Sequence, residues 1–205
     1  FEDVEDGIVT DQSGHGNIGM LNGDAALVDV GGDTAVSFSG AGYMDVPAAS
    51  WSTISAEASL AFWAYIDSAT LPQNNFIFGA YSDPADNGAR VFSAHLPWGS
   101  TIYFDTSGPG YDRTSQAVTT EELADAWVHW AFVKNADTGV VSIYRNGALW
   151  HSAAEKTKPM QGADVTKFTI GTKPSLAEGW FTGMMDDIRL YNKALTETEV
   201  AKIVL

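Results

Sequence analysis

Cysteine is absent from the 205-residue chain, which excludes disulfides and thiolate metal sites outright. The same absence leaves the redox compartment open, since secreted domains without disulfides are as reasonable as cytosolic ones. Bases are the next shortage. Residues 1–89 hold 13 acids and neither Lys nor Arg, whereas all 11 bases fall from Arg90 onward with the other 13 acids, for a formal charge of −15. Nucleic acid binding needs a basic footprint to displace counterions, so that class is excluded. An anionic membrane or a heavily sulfated polymer would be repelled at long range, while a local basic patch still acts within a Debye length of about 8 Å. No run approaches the roughly 20 apolar residues of a membrane helix, so no membrane insertion is expected. The chain begins at Phe1 rather than Met, from which a mature fragment with unseen neighbouring domains is expected.

What is present points to β structure. A chain of this length buries roughly 70% of its unfolded surface and needs no metal or disulfide merely to hold a core. Glycine is frequent, at 20 residues, and short apolar or alternating runs recur between turn residues. Such runs occupy 35–46, 55–66, 75–81, 89–96, 101–105, 127–134, 167–171 and 183–191. In the second run Leu60, Phe62 and Ala64 share one face and Ala61, Trp63 and Tyr65 the other, as in a central strand covered on both sides or lining a groove. Asn146-Gly147 supplies the two positive-φ positions of a type I′ hairpin between VVSIYR and ALWHS. Thr196 with Glu199 forms a capping box, and Leu195, Val200, Ile203 and Val204 give the following short helix one apolar face; a further helical turn fits 120–123. The expectation is an all-β, two-sheet antiparallel sandwich of the jelly-roll type with eleven or twelve strands and a short C-terminal helix, as a single domain over residues 1–205.

Three stretches carry a resemblance: FEDVEDGIVTDQSGHGNIGML, WVHWAFVKNADTGVVSIYRNG and FTGMMDDIRLYNKALTETEV. Together, in this order, they resemble the laminin G-like (domain 3 type) members of the concanavalin A-like lectin/glucanase superfamily, over the whole chain. Fold is not function, because this sandwich carries glucanases, lyases, lectins, adhesins and spacers. Glucanases of the superfamily place their acids in a Glu-x-Asp-x-Glu run on one strand face, and no such run occurs here. The Arg-rich, Gln-x-His and Tyr-bearing strands of the lyase branch are not found together either, nor is a Gly-x-Ser-x-Gly elbow. The chain is therefore expected to be non-catalytic.

The resemblance also implies a structural calcium joining the first strand, a Gly before an early strand and an Asp of the last strand. Carried over by position, its ligands are Glu2 (or Asp3), Gly32 (or Asp33) and Asp186, with Asp187 turned to the other side of the strand. Asp186 has a plain alternative as a partner of Arg189. Asp11 and Asn17 read as an Asx-type turn, and the four His show no zinc spacing.

Sugar rings stack on aromatic faces while their hydroxyls need polar partners, so a carbohydrate site combines the two. Trp63, Trp127 and Phe181 match core positions of the family, which leaves Trp51, Trp98, Trp150 and Trp180 near turns. In ARVFSAHLPWGSTIYFD the alternation sends Phe92, Ala94, Leu96, Ile102 and Phe104 inward and Val91, Ser93, His95, Tyr103 and Asp105 outward. Arg90 opens this strand, and the following loop adds Tyr111 and Arg113. His95, Trp98, Tyr103, Asp105 and Arg113 are expected to border a shallow groove for part of a glycan, with His129 beside His95 or else buried. The expected function is a lectin-like module binding a poly- or oligosaccharide, appended to a larger secreted or cell-surface bacterial polysaccharide-active protein; the rival is an adhesin, protein-interaction or spacer module.

Overall fold

The computed structural model describes residues 4–108 and 110–204. Among them the strands run as β1 (Val4–Glu5), β2 (Ile8–Val9), β3 (Gly19–Asn22), β4 (Ala26–Val30), β5 (Asp33–Ser39), β6 (Tyr43–Val46), β7 (Glu57–Tyr65), β8 (Gln73–Asn74) and β9 (Phe78–Tyr81). They continue as β10 (Arg90–Gly99), β11 (Thr101–Thr106), β12 (Asp112–Ala117), β13 (Trp127–Asn135), β14 (Val140–Arg145), β15 (Ala148–Ala153), β16 (Lys167–Ile170) and β17 (Thr182–Tyr191), with α1 (Thr120–Leu123) and α2 (Glu197–Ile203) between and after. Two antiparallel sheets result. The ten-stranded one is ordered β1-β2-β3-β6-β16-β9-β10-β11-β12 with β8 added on β10, and the seven-stranded one β15-β14-β13-β7-β17-β5-β4. The strand count exceeds the expected eleven or twelve because short strands such as β2, β3, β4 and β8 carry too few residues to show a period.

One core fills the space between the sheets. From the ten-stranded side come Phe78, Phe92, Phe104 and Phe168, and from the seven-stranded side Phe62, Trp130, Phe132 and Ile143. Phe62 lies over Phe132 with ring centroids 6.1 Å apart, and Phe78 meets Phe132 edge-on at 5.3 Å, so aromatic side chains bridge the layers directly. Trp51, expected near a turn, is fully buried against Phe92 and Phe168, because the 3₁₀ turn Ala48–Trp51 folds it over the end of the core. Trp63 and Trp127 depart from expectation in the opposite sense. Both are half-buried on the outer face of the seven-stranded sheet, since on β7 and β13 the even positions Phe62, Ala64, Val128 and Trp130 already face the core. Phe181 is in the core as expected.

The outer face of the seven-stranded sheet is half covered. Helix α2 starts at a capping box in which Thr196 Oγ1 accepts from Glu199 N–H and the Glu199 carboxylate accepts from Thr196 N–H. It lays Val200 on Ala61, Ala131, Val133, Tyr144 and Leu195, a second apolar cluster. Asn146 and Gly147 have φ of 50° and 83°, as a type I′ turn requires. Asp11 closes its loop by accepting from the N–H groups of Ser13 and Asn17, both at 2.9 Å.

Candidate functional site

The site forms where β9, β10, β11 and β12 present their outer faces. Cross-strand register aligns Ser93 with Asp105 and Asp105 with Arg113, while His95 faces Tyr103. A bulge adds Arg90 to this set. Pairing with β9 runs from Arg90–Tyr81 to Phe92–Ala80, so Val91 is the extra residue. Val91 consequently joins Phe92 in the core, against the outward direction that simple alternation implies, and the Arg90 side chain swings to the outer face. Strict alternation fails here because it assumes an uninterrupted ladder.

Asp105 is the centre of the cluster. Its side chain is completely buried and accepts from Arg90 Nη1 at 2.5 Å and from Arg113 Nε and Nη2 at 2.6 and 2.8 Å. A buried carboxylate is tolerable only when its lone pairs are filled, and this one serves two guanidiniums. The Asp105 bond in turn holds the Arg113 pKa above its ordinary range. Tyr111 lies between the two cations, with guanidinium carbons 5.0 Å (Arg90) and 5.2 Å (Arg113) from its ring, and Tyr103 takes the Arg113 plane at 4.8 Å.

His95 completes the network as a neutral ring. Its Nδ1–H donates to Asn75 O at 2.7 Å, which leaves Nε2 to accept from Arg90 Nη1 at 3.3 Å. Burial pushes its pKa down to about 4 and the neighbouring Arg90 and Arg113 act in the same direction, against the Asn75 bond and the Asp105 charge. His95 and Asp105 are 4% and 0% exposed, so they do not border an open groove as expected. They lie buried beneath the half-exposed rings of Trp98 and Tyr103. The half-buried rims of Trp98, Tyr103 and Tyr111 and the exposed Arg113 are the parts that meet solvent.

Several contributors were invisible to strand-by-strand reading. Phe76 packs its ring 4.0 Å from His95 and 6.0 Å from Trp98, and carries Arg90 at 5.2 Å. Its position depends on a second irregularity: the β10–β11 register shifts between His95 and Trp98, where Pro97 has no N–H to pair. Asn75 repairs the gap, donating Nδ2–H to Leu96 O at 2.7 Å and accepting Leu96 N–H at 3.0 Å. Tyr81 is also buried, and burial pushes its phenol up, with Ser93 Oγ opposing the shift from beside it. Close approach of the loop 171–181 explains part of this burial. A Cβ on Gly79 would stand 2.6 Å from Pro174 Cδ, so only glycine lets that loop lie over β9.

The remaining expected residues lie elsewhere. His129 is on the opposite sheet from His95, buried against Trp63 at 5.3 Å, with Nδ1 unpartnered and its pKa pushed down by burial to about 4. Of the implied calcium ligands, Glu2 lies outside the described residues. Gly32 is exposed in the β4–β5 turn, where its N–H meets Asp29 Oδ1 at 3.4 Å. Asp186 stands opposite Trp63 and is half-buried; burial raises its pKa, and the charge of Asp33 raises it further. Among the described residues no three His, Asp or Glu side chains are grouped closely enough to hold a metal ion. The donor set therefore fits calcium only if backbone carbonyls and the first strand contribute, although a cation beside Asp186 would relieve its unfavourable surroundings. A bulge between Asp186 and Arg189 interrupts the alternation on β17, and Arg189 pairs with Asp187 at 2.6 Å.

Comparison with known proteins agrees with this architecture. Residues 38–201 match the Laminin_G_3 family model, described as concanavalin A-like lectin/glucanases superfamily. Domain 4 of AbnA, a GH43 extracellular arabinanase from Geobacillus stearothermophilus solved in complex with arabinotriose, is 21% identical with a TM-score of 0.71, covering 96% of this chain and 93% of that one. The botulinum neurotoxin serotype D ligand binding domain in complex with N-acetylneuraminic acid is 14% identical, TM-score 0.68, covering 95% of this chain and 47% of that one. A 103-residue stretch is 25% identical to Adhesion G-protein coupled receptor V1 of Danio rerio, covering 50% of this chain and only 2% of that receptor.

Proposed function

The chain belongs to the concanavalin A-like lectin/glucanases superfamily, and from the site its ten-stranded sheet carries we propose that it is a non-catalytic carbohydrate-binding module. The observation that supports this most is the juxtaposition of solvent-facing aromatic rims, Trp98, Tyr103 and Tyr111, with a rigid polar floor of Arg90, His95 and Asp105. Rings offer stacking faces and Arg113 offers donors for hydroxyls, while the bonded floor fixes both. Arabinotriose in the arabinanase domain and N-acetylneuraminic acid in the neurotoxin domain are ligands of those proteins, and they favour a saccharide here. The one carboxylate of the floor, Asp105, is fully engaged by two arginines, and no second carboxyl among the described residues stands with it as glycoside hydrolysis requires, in keeping with binding rather than hydrolysis. An extracellular setting, as part of a larger polysaccharide-active protein, completes the reading.

A structural calcium held by Asp186, Gly32 and Glu2 belongs to the same proposal, supported by the proximity of Asp33 to Asp186. A second reading, a protein-interaction module, is favoured by Ile8 and Met20, which pair across β2 and β3 and are 43% and 53% exposed.

The test is a glycan array and polysaccharide affinity-gel screen, with calcium and with chelator, while products are read for cleavage. Retention without cleavage is expected, together with an unfolding temperature that calcium raises and Asp186→Asn makes insensitive. Cleavage, or no retention on any glycan, overturns the module reading.

A further inference from the structure

The site is a cationic spot in a strongly anionic chain. Against a formal charge of −15 overall, Arg90 and Arg113 share the single carboxylate of Asp105. His95 adds no charge of its own, because burial keeps it neutral. On the other face of β12, Asp112 serves Lys134 of the opposite sheet at 3.2 Å and Lys158 at 3.9 Å, again two cations for one carboxylate. The acidic turn before β10 does not cancel this excess by direct pairing. Asp83 and Asp86 each accept an N–H of their own turn, from Ala85 and Gly88, rather than pairing with the arginines.

Arg113 is the cation that reaches solvent. Its side chain is 38% exposed, against 10% for Arg90. It engages Asp105 through Nε and Nη2, so the end-on edge of the guanidinium, one N–H of Nη1 beside the second N–H of Nη2, carries no hydrogen bond among the described residues. Tyr103 and Tyr111 hold the plane so that this edge cannot turn inward. A guanidinium edge presents parallel donors that a carboxylate fills with two oxygens, whereas a single sugar hydroxyl fills one.

We propose that the site takes an acidic saccharide, a glycan bearing an isolated carboxylate, which the free edge of Arg113 reads while Tyr103 and Trp98 receive the sugar face. This rests on the carbohydrate-binding reading above and narrows its ligand class. The isolation of the carboxylate follows from the surrounding charge. Beyond roughly a Debye length the chain repels polyanions, so a single acidic residue in an otherwise neutral glycan meets the local cation without meeting the wider field.

Calorimetric titration of the intact chain with matched pairs tests it: sialyllactose against lactose, and cellobiouronic acid against cellobiose. The acidic member of at least one pair is expected to bind about tenfold or more tightly, with the preference shrinking in 1 M salt. Arg113→Gln should abolish the preference and Arg113→Lys should keep part of it, each with an unfolding midpoint recorded to show that the fold survives. Equal affinity within both pairs, a preference for the neutral members, or a preference that Arg113→Gln leaves intact overturns the inference while the binding-module reading stands. Binding of neutral glycans alone on the array has the same meaning. Absence of binding to every glycan, acidic or neutral, overturns both.

Discussion

Two histidines, His95 and His129, sit on the outer faces of opposite sheets, each buried against an aromatic ring and each pushed down to about 4. Their surroundings differ. Both ring nitrogens of His95 are used, one on Asn75 and one on Arg90, inside a network that ends at Asp105. His129 leaves Nδ1 without a hydrogen bond among the described residues, beside Trp63 on the outer face of the seven-stranded sheet. A satisfied buried network specifies one arrangement of its members, whereas an unsatisfied ring is held by packing alone. The contrast marks the ten-stranded face as the one built around polar geometry.

The strongest way to break the comparison is to remove its centre. Asp105→Ala leaves Arg90 buried without a counter-charge, and is expected to cost about 3–5 kcal/mol in chemical denaturation. Trp63→Ala on the other face should leave glycan affinity unchanged; a loss there would move the site. Next in size are the histidines themselves. His95→Leu strips Asn75 and Arg90 of a partner and should cost about 2 kcal/mol, while His129→Leu, which orphans nothing, should fall within about 1 kcal/mol of the parent.

The pH dependence sharpens the same contrast. Unfolded histidine titrates near 6.5, so between that value and about 4 the unfolded chain binds more protons than the folded one. The histidine contribution is thus complete above about 6.5 and is lost as pH falls toward 4, on the order of 3 kcal/mol per ring. His129→Leu should remove one ring's share of this loss in denaturation curves recorded across the window. The smallest expected effect concerns recognition alone: Tyr103→Ala and Trp98→Ala should each weaken a retained glycan by about fivefold. An unchanged affinity in both would require the groove to lie elsewhere.

Much of this molecule was legible residue by residue. Runs such as AVSFS and EASLAFWAY forecast strands, and Thr196 with Glu199 and Asn146 with Gly147 forecast a helix start and a hairpin, because each signal is local. The seven ligand-site candidates, Arg90, His95, Trp98, Tyr103, Asp105, Tyr111 and Arg113, do come together: His95, Tyr103, Asp105 and Arg113 lie in register on adjacent strands, Arg90 and Trp98 join them across register shifts, and Tyr111 comes from the turn between β11 and β12. Period-2 reading failed where the ladder was irregular. Val91 turned inward at a bulge, whereas Trp63 and Trp127, placed in the core by the family resemblance, face outward on a regular ladder, opposite Phe62 and Trp130 as the alternation requires.

The two-sheet class, the missing acid pattern and the acidic field all follow from composition and short-range spacing. Which polar groups become floor and which become rim depends instead on long-range packing. Phe76 and Asn75 reach the site through the β8–β10 pairing, and the loop 171–181 seals Tyr81 through the gap at Gly79. Burial is a property of what lies above a residue, and in this fold that cover comes from segments up to about a hundred residues away in the chain.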